Sequence, residues 1–95
     1  MYRNKKLLAL AKDQCCANCG VKDGTVVSAH SNMLQHGKGR GIKANDWAMA
    51  WLCFACHSMY DQGTRMNRRE KEVFFLNAAL NTYGMMMEIG LLEVK

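Results

Sequence analysis

Cys53-Phe-Ala-Cys56-His57-Ser-Met-Tyr-Asp61 decides the fold of this chain, together with its counterpart Cys16-Ala-Asn-Cys19. Each pair offers two thiols at metal-knuckle spacing, and the 33 residues between the pairs suit a small folded insert. Tetrahedral zinc takes four sulfurs at about 2.3 Å and no fifth ligand. Cys16, Cys19, Cys53 and Cys56 therefore read as one structural zinc site, and the paired spacing argues against buried or disulfide-bonded cysteines. Cys15 is left over. It is an alternative ligand to Cys16, but the two-residue spacing to Cys19 favours Cys16.

Length points the same way. A chain of 95 residues builds one domain, residues 1–95, whose small core benefits from a metal staple. The apolar stretch from Leu7 to Ala11 is too short for a signal peptide, and no segment has the length to span a bilayer. Five cysteines without a secretory signal predict a reducing compartment, hence the cytoplasm and no membrane partner.

The net charge of +5 is unevenly spread. Residues 1–43 carry a balance of +6 and residues 44–95 a balance of −1. A basic half on a zinc-stapled module favours a polyanionic partner, most simply DNA or RNA, although charge alone fits a solvated, solubilising face as well.

Outward from the cysteines, the chain has no proline, no repeat and no low-complexity tract. Residues 4–12 predict a short helix with Asn4 as N-cap. Gly20 closes the first knuckle. Residues 25–30, Thr-Val-Val-Ser-Ala-His, are β-prone and end on His30. Residues 36–46 are glycine-rich and basic, hence a loop. The second cysteine pair opens a helix running to about Asp61 and ended by Gly63. Asn67-Arg-Arg-Glu70 has capping-box spacing and starts a long helix. Val73, Leu76, Leu80, Tyr83 and Met87 recur at helical steps and predict its buried face, widened by Phe74, Phe75, Ala79 and Met86. So wide an apolar surface suits core packing first and a homodimer interface second. Leu91-Leu-Glu-Val94 is expected to finish as a short strand.

Knuckle, hairpin and helix describe an α+β treble clef with an N-terminal helix and a long C-terminal helix. Fold alone does not make an enzyme, so the case for catalysis rests on side chains. His57 and Asp61, four apart on a helix, share one face and can chelate one divalent ion. Such an ion stabilises the leaving oxygen of a phosphodiester, and a neutral imidazole at His30 can deprotonate the attacking water. Singly, each histidine reads as an ordinary surface or strand-end residue. The triad His30, His57 and Asp61 reads as a hydrolytic site.

Ser28-Ala-His30, Lys43-Ala-Asn-Asp46 and Cys53-Phe-Ala-Cys56-His57-Ser-Met-Tyr-Asp61 resemble the small HNH-like nucleases encoded by prophages in lambdoid recombination regions. The likeness covers most of the chain. It implies a ββα-metal core, a structural zinc, and a metal-dependent DNA endonuclease acting in a bacterial host cell. By this resemblance His30 is the general base, while His57 and Asp61 hold a catalytic ion, magnesium or manganese. Asp46 and His36 are further candidates for that shell.

The loop His36-Gly-Lys-Gly-Arg-Gly41 lacks the Gly-Lys-Ser/Thr of a nucleotide-binding loop. Its glycines let the backbone approach a DNA phosphate while Lys38 and Arg40, with Lys43 nearby, pair with it. Arg65, Arg68, Arg69 and Lys71 straddle a helix start and form a second phosphate-binding candidate. The competing reading is a non-catalytic zinc module that binds nucleic acid or a recombination partner.

Overall fold

A computed structural model of residues 1–95 pairs Val27–His30 (β1) antiparallel with Met49–Leu52 (β2). Val27 faces Leu52, Ser28 faces Trp51, Ala29 faces Ala50 and His30 faces Met49. Three helices complete this α+β fold: Lys5–Ala9 (α1), Phe54–Asp61 (α2) and Arg68–Glu88 (α3). Every residue of β2 is buried, whereas β1 buries only Ala29. The core therefore gathers around β2, with Trp51, Tyr60, Phe75 and Met86 as its large members. Only 20 of the 95 residues are buried, so the fold has little apolar stabilisation in reserve.

The outer edge of β2 is closed by neighbours that are not strands. The Trp51 N–H donates to Thr82 Oγ1 at 2.9 Å, and its carbonyl accepts from the Ala17 N–H at 2.7 Å. Thr82, fully buried in the middle of α3, in turn donates to the Ala78 carbonyl at 2.8 Å. Thr82→Val keeps the shape of the side chain and orphans a buried N–H, which costs about 1–3 kcal/mol. Urea unfolding should report that loss, with most of it recovered in Thr82→Ser. A Thr82→Val midpoint equal to wild type would contradict the role.

The short helix α1 is capped as expected, the Asn4 side chain accepting from the Leu7 N–H at 3.0 Å. It ends at Ala9, well before residue 12. Leu10 and Lys12 donate three residues back, and Asp13 takes a left-handed φ of 64°. This tight exit turns the chain so that Cys16 reaches the edge of β2. The strand is likewise shorter than residues 25–30, because Thr25 is used elsewhere. Its hydroxyl accepts from the Phe54 N–H at 2.9 Å and helps seat the start of α2. At the far end of α2, a Cβ at Gly63 would strike the Met59 carbonyl oxygen, so only glycine fits that exit.

The capping box at Asn67 and Glu70 forms as read, with both reciprocal bonds present. The buried face of α3 forms only in part. Phe75 and Met86 from the expected stripe are buried, with Phe74, Ala79 and Tyr83 packed beside them, and Ala78 and Thr82 join the core. Val73, Leu76, Leu80 and Met87 are instead 48–74% exposed, which corrects that part of the expectation. Small Ala78 and the hydroxyl of Thr82 let the helix close on the strand edge, and the larger aliphatic stripe is left on the outside. The C-terminal tail is also corrected: Leu91 and Leu92 both donate to the Met86 carbonyl after Gly90 at φ 79°, a helix cap rather than a strand. No helix is long and apolar enough to cross a membrane.

Candidate metal centre and histidine–carboxylate site

The first cysteine pair sits on a turn in which Gly20 donates to the Cys16 carbonyl at 3.0 Å and Cys16 donates to the Val21 carbonyl at 2.8 Å. The Ala17–Trp51 bond hooks this turn onto β2, two residues before Cys53. Cys53 precedes α2, and Cys56 lies in its first turn. Hairpin pairing and knuckle docking thus carry the two pairs together across a long sequence gap. The four sulfurs lie within 4.8 Å of one another, and Cys19 and Cys53 are 3.7 Å apart. Four sulfurs at zinc-bond length occupy tetrahedral corners about 3.8 Å apart, so this set fits one zinc ion. Cys15 is exposed and stands apart from the group.

The thiols are electrostatically unequal. Burial opposes ionisation of Cys16, but the N–H groups of Cys19, Cys53 and Asn18 outweigh it and bring that thiol down to about 7. Burial pushes Cys56 up to about 12 and raises Cys53 as well. Asn18 Nδ2 donates to Cys56 Sγ at 3.3 Å, a contact that supports a ligand sulfur carrying negative charge. Metal binding takes the thiolate forms and releases their protons, so affinity falls as the solution is acidified.

His57 and Asp61 share one face of α2 as their spacing predicts, with Nε2 2.8 Å from Oδ2. Both side chains are about one-third exposed and open to solvent. Asn32 reaches this pair from the chain just beyond β1. Its Nδ2 donates to Asp61 Oδ1 at 3.1 Å, and its N–H donates to Tyr60 Oη at 2.9 Å. Tyr60 is itself buried and stacked on Phe75, so the anchor is rigid.

His30 has a different partner. Its Nε2 donates to Asp46 Oδ1 at 2.8 Å. Asp46 is buried, and it also accepts from Arg3 at 3.2 Å and from the Asn4 N–H at 2.7 Å. Burial alone would raise its carboxyl, but the bonds from His30, Asn4 and Arg3 hold it below the usual carboxylate range. A carboxylate on Nε2 fixes the neutral ring as the Nε2–H tautomer and leaves Nδ1 as its basic nitrogen. The structure thus contains two histidine–carboxylate pairs, linked by the segment from His30 to Asn32. The four cysteines are the only set of three or more His, Cys, Asp or Glu side chains close enough to hold a metal ion. His30 does not join His57 and Asp61 in such a set.

His36, a candidate for the same shell, is engaged elsewhere. Its Nδ1 lies 2.7 Å from Ser31 Oγ, and its ring meets Trp47 edge-on at 5.8 Å between centroids. Asn45 braces the loop behind it, donating to the His36 carbonyl at 2.9 Å and accepting from the Tyr2 N–H at 2.8 Å. The basic loop is a tight turn in which Gly39 and Ile42 exchange backbone hydrogen bonds, with exposed Arg40 at its tip. Lys38, Arg40 and Lys43 have no acidic partner within 4 Å. On α3, Arg69 is exposed and Arg68 makes only a loose 3.7 Å pair with Glu72.

Three partnerships escaped the sequence reading. Asp46 was visible as a nearby carboxylate, but its bond to His30 was not. Asn32 and Arg3 carry no sequence signal, because each acts across a separation that only the fold closes. No protein-family model, curated protein or solved structure matches this chain.

Proposed function

We propose that the protein is a metal-dependent DNA endonuclease of the HNH-like, ββα-metal type, built on a treble-clef zinc fold and working in the cytoplasm of a bacterial cell. One observation carries the reading: a strand ending in a carboxylate-oriented histidine is tied by Asn32 to a helix presenting His57 and Asp61 to solvent. The resemblance to prophage-encoded recombination-region nucleases points the same way.

In this reading zinc at the four cysteines supplies cross-linking of knuckle and helix, not chemistry. A divalent ion, magnesium or manganese, would be held by His57 and Asp61 and would supply charge stabilisation at the departing oxygen. Magnesium sites commonly take only one or two protein ligands. His30 accepts the proton of the attacking water on Nδ1, and Asp46 steadies the imidazolium that results. Asn32 holds Asp61 so that its second oxygen stays with His57. The rival reading, a zinc module that only binds, draws on the absence of a third protein ligand beside His57 and Asp61. Divalent-ion-dependent cleavage separates the two.

DNA binding in this scheme uses Lys38, Arg40 and Lys43 on the loop and Arg68 and Arg69 on α3. Contacts of this kind position the duplex and act through counterion release. Lys38→Ala with Arg40→Ala should weaken affinity about equally for all sequences and flatten its salt dependence. Titration by fluorescence anisotropy at several salt concentrations checks this, and an unchanged slope would leave the loop merely solvated.

A second copy of the chain completes the list of partners. Val73, Leu76, Leu80 and Met87 fall at heptad positions on the outward face of α3. An antiparallel copy sets the Arg68–Arg69 end of one helix against the Glu88 end of the other, complementary in charge. Leu80→Glu, at a position 74% exposed, should leave the fold intact and abolish concentration-dependent association in sedimentation. Wild-type protein that stays monomeric at all concentrations would refute the pairing.

A further inference from the structure

Next to the His57–Asp61 pair lies a cavity of about 330 Å³ between the segment after β1 and the start of α3. Its lining is chemically mixed. Met33, Tyr60 and Met66 are apolar, and Arg68 and Lys71 are basic. Asn32 also lines it, with its side chain already committed to Asp61. Glu72 contributes the only carboxylate and is paired with Arg68. Lys71 is therefore the cation in the cavity with no acidic partner within 4 Å.

We propose that this cavity is a nucleotide subsite, holding one unstacked nucleotide of the strand that runs past His57 and Asp61. The argument rests on size, chemistry and position. The volume sits at the lower end of small-ligand sites, the range of a single nucleotide rather than a duplex. The nucleobase, a flat apolar face with polar edges, lies against half-buried Met66, whose flexible thioether adapts to any base, over a fixed floor of buried Met33 and Tyr60. Its phosphate meets Lys71, with Arg68 at the rim. Tyr60 gives the floor rigidity, being stacked on Phe75 at 5.1 Å and on Phe74 at 6.0 Å between centroids. Asn32 lines the cavity and holds Asp61, so an occupant lies one residue from the candidate ion-binding pair. Extruding a nucleotide here favours DNA that is already unpaired, because a paired base must first leave its stack. The substrate class is therefore single-stranded or branched DNA over intact duplex, which rests on the nuclease reading for its consequence but not for its binding chemistry.

The methionine methyl groups make the test direct. Zinc-loaded full-length protein, without any second divalent ion, is titrated with a single-stranded hexadeoxynucleotide and separately with inorganic phosphate. The hexanucleotide should shift the methyl resonances of Met33 and Met66, and phosphate alone should not. Lys71→Ala and Met66→Ala should each weaken the hexanucleotide roughly tenfold, the scale of one lost base or phosphate contact. Methyl signals that stay unmoved by the hexanucleotide, or affinities unchanged in both variants, would overturn the subsite. Cleavage is scored separately. Protein that binds this way but never cuts keeps the subsite and loses the nuclease reading, and protein that cuts with unmoved methyl signals does the reverse.

Discussion

Cys56→Ser is expected to unfold the domain or to lower its thermal midpoint drastically, with zinc content falling below one per chain. The four sulfurs join the only two knuckle segments of the fold, and 20 buried residues provide little else to hold them. Zinc binding in small metal-folded peptides contributes about 10 kcal/mol or more of apparent folding free energy. That rivals the whole stability of an ordinary domain, about 5–15 kcal/mol. Cys15→Ser is the matched control, because Cys15 is exposed and outside the cluster. Chelation of the wild-type protein should reproduce the Cys56→Ser result in circular dichroism. A Cys56→Ser protein with full zinc and an unchanged midpoint would refute the four-cysteine site.

The second large effect is catalytic. His30→Ala should leave zinc content and DNA affinity intact and lower cleavage by roughly a hundredfold or more, the scale of a lost general base. His57→Ala should abolish cleavage by another route, losing the second ion while keeping one zinc per chain. Raising the divalent-ion concentration should partly restore His57→Ala and leave His30→Ala unchanged. The two pairs of the structure explain the difference. His30 is oriented by Asp46 as a proton acceptor would be, whereas His57 shares its helix face with Asp61, the other proposed ligand of the ion. Normal cleavage by His30→Ala would remove the proton-transfer role.

The cysteine cluster was legible because its signal is local. Each pair fixes its own turn, and the spacing alone announces a ligand. The α3 capping box was legible for the same reason, with Asn67 and Glu70 bonding each other three residues apart. The orientation of α3 was legible only in part: Phe75 and Met86 lay within the expected stripe and are buried, but apolar residues occupy both faces of the helix and periodicity cannot say which one the core takes. A buried edge decided it: the Trp51 N–H needed an acceptor, and Thr82, a polar interruption in the sequence pattern, supplied one. The ends of α1 and β1 were set by similar demands, Asp13 turning the chain toward the knuckle and Thr25 seating α2.

The histidine site lies between these cases. His57 with Asp61 followed from helical spacing, and His30 from its place at the strand end. Asp46 and Asn32, which orient one member of each pair, lie 16 and 29 residues from their partners. Such couplings are invisible until the hairpin has formed. His36 illustrates the converse, a histidine of the right type whose ring is spent on Ser31 and Trp47.

The most direct test of the account is a cleavage assay with zinc-loaded wild-type protein on single-stranded, duplex and branched DNA. Magnesium or manganese is present or withheld at constant zinc. Cutting that appears only with the added ion, is strongest on unpaired or branched DNA and is lost in His30→Ala is the predicted result. Folded, zinc-replete protein that binds these DNAs and cuts none of them with either ion would contradict it.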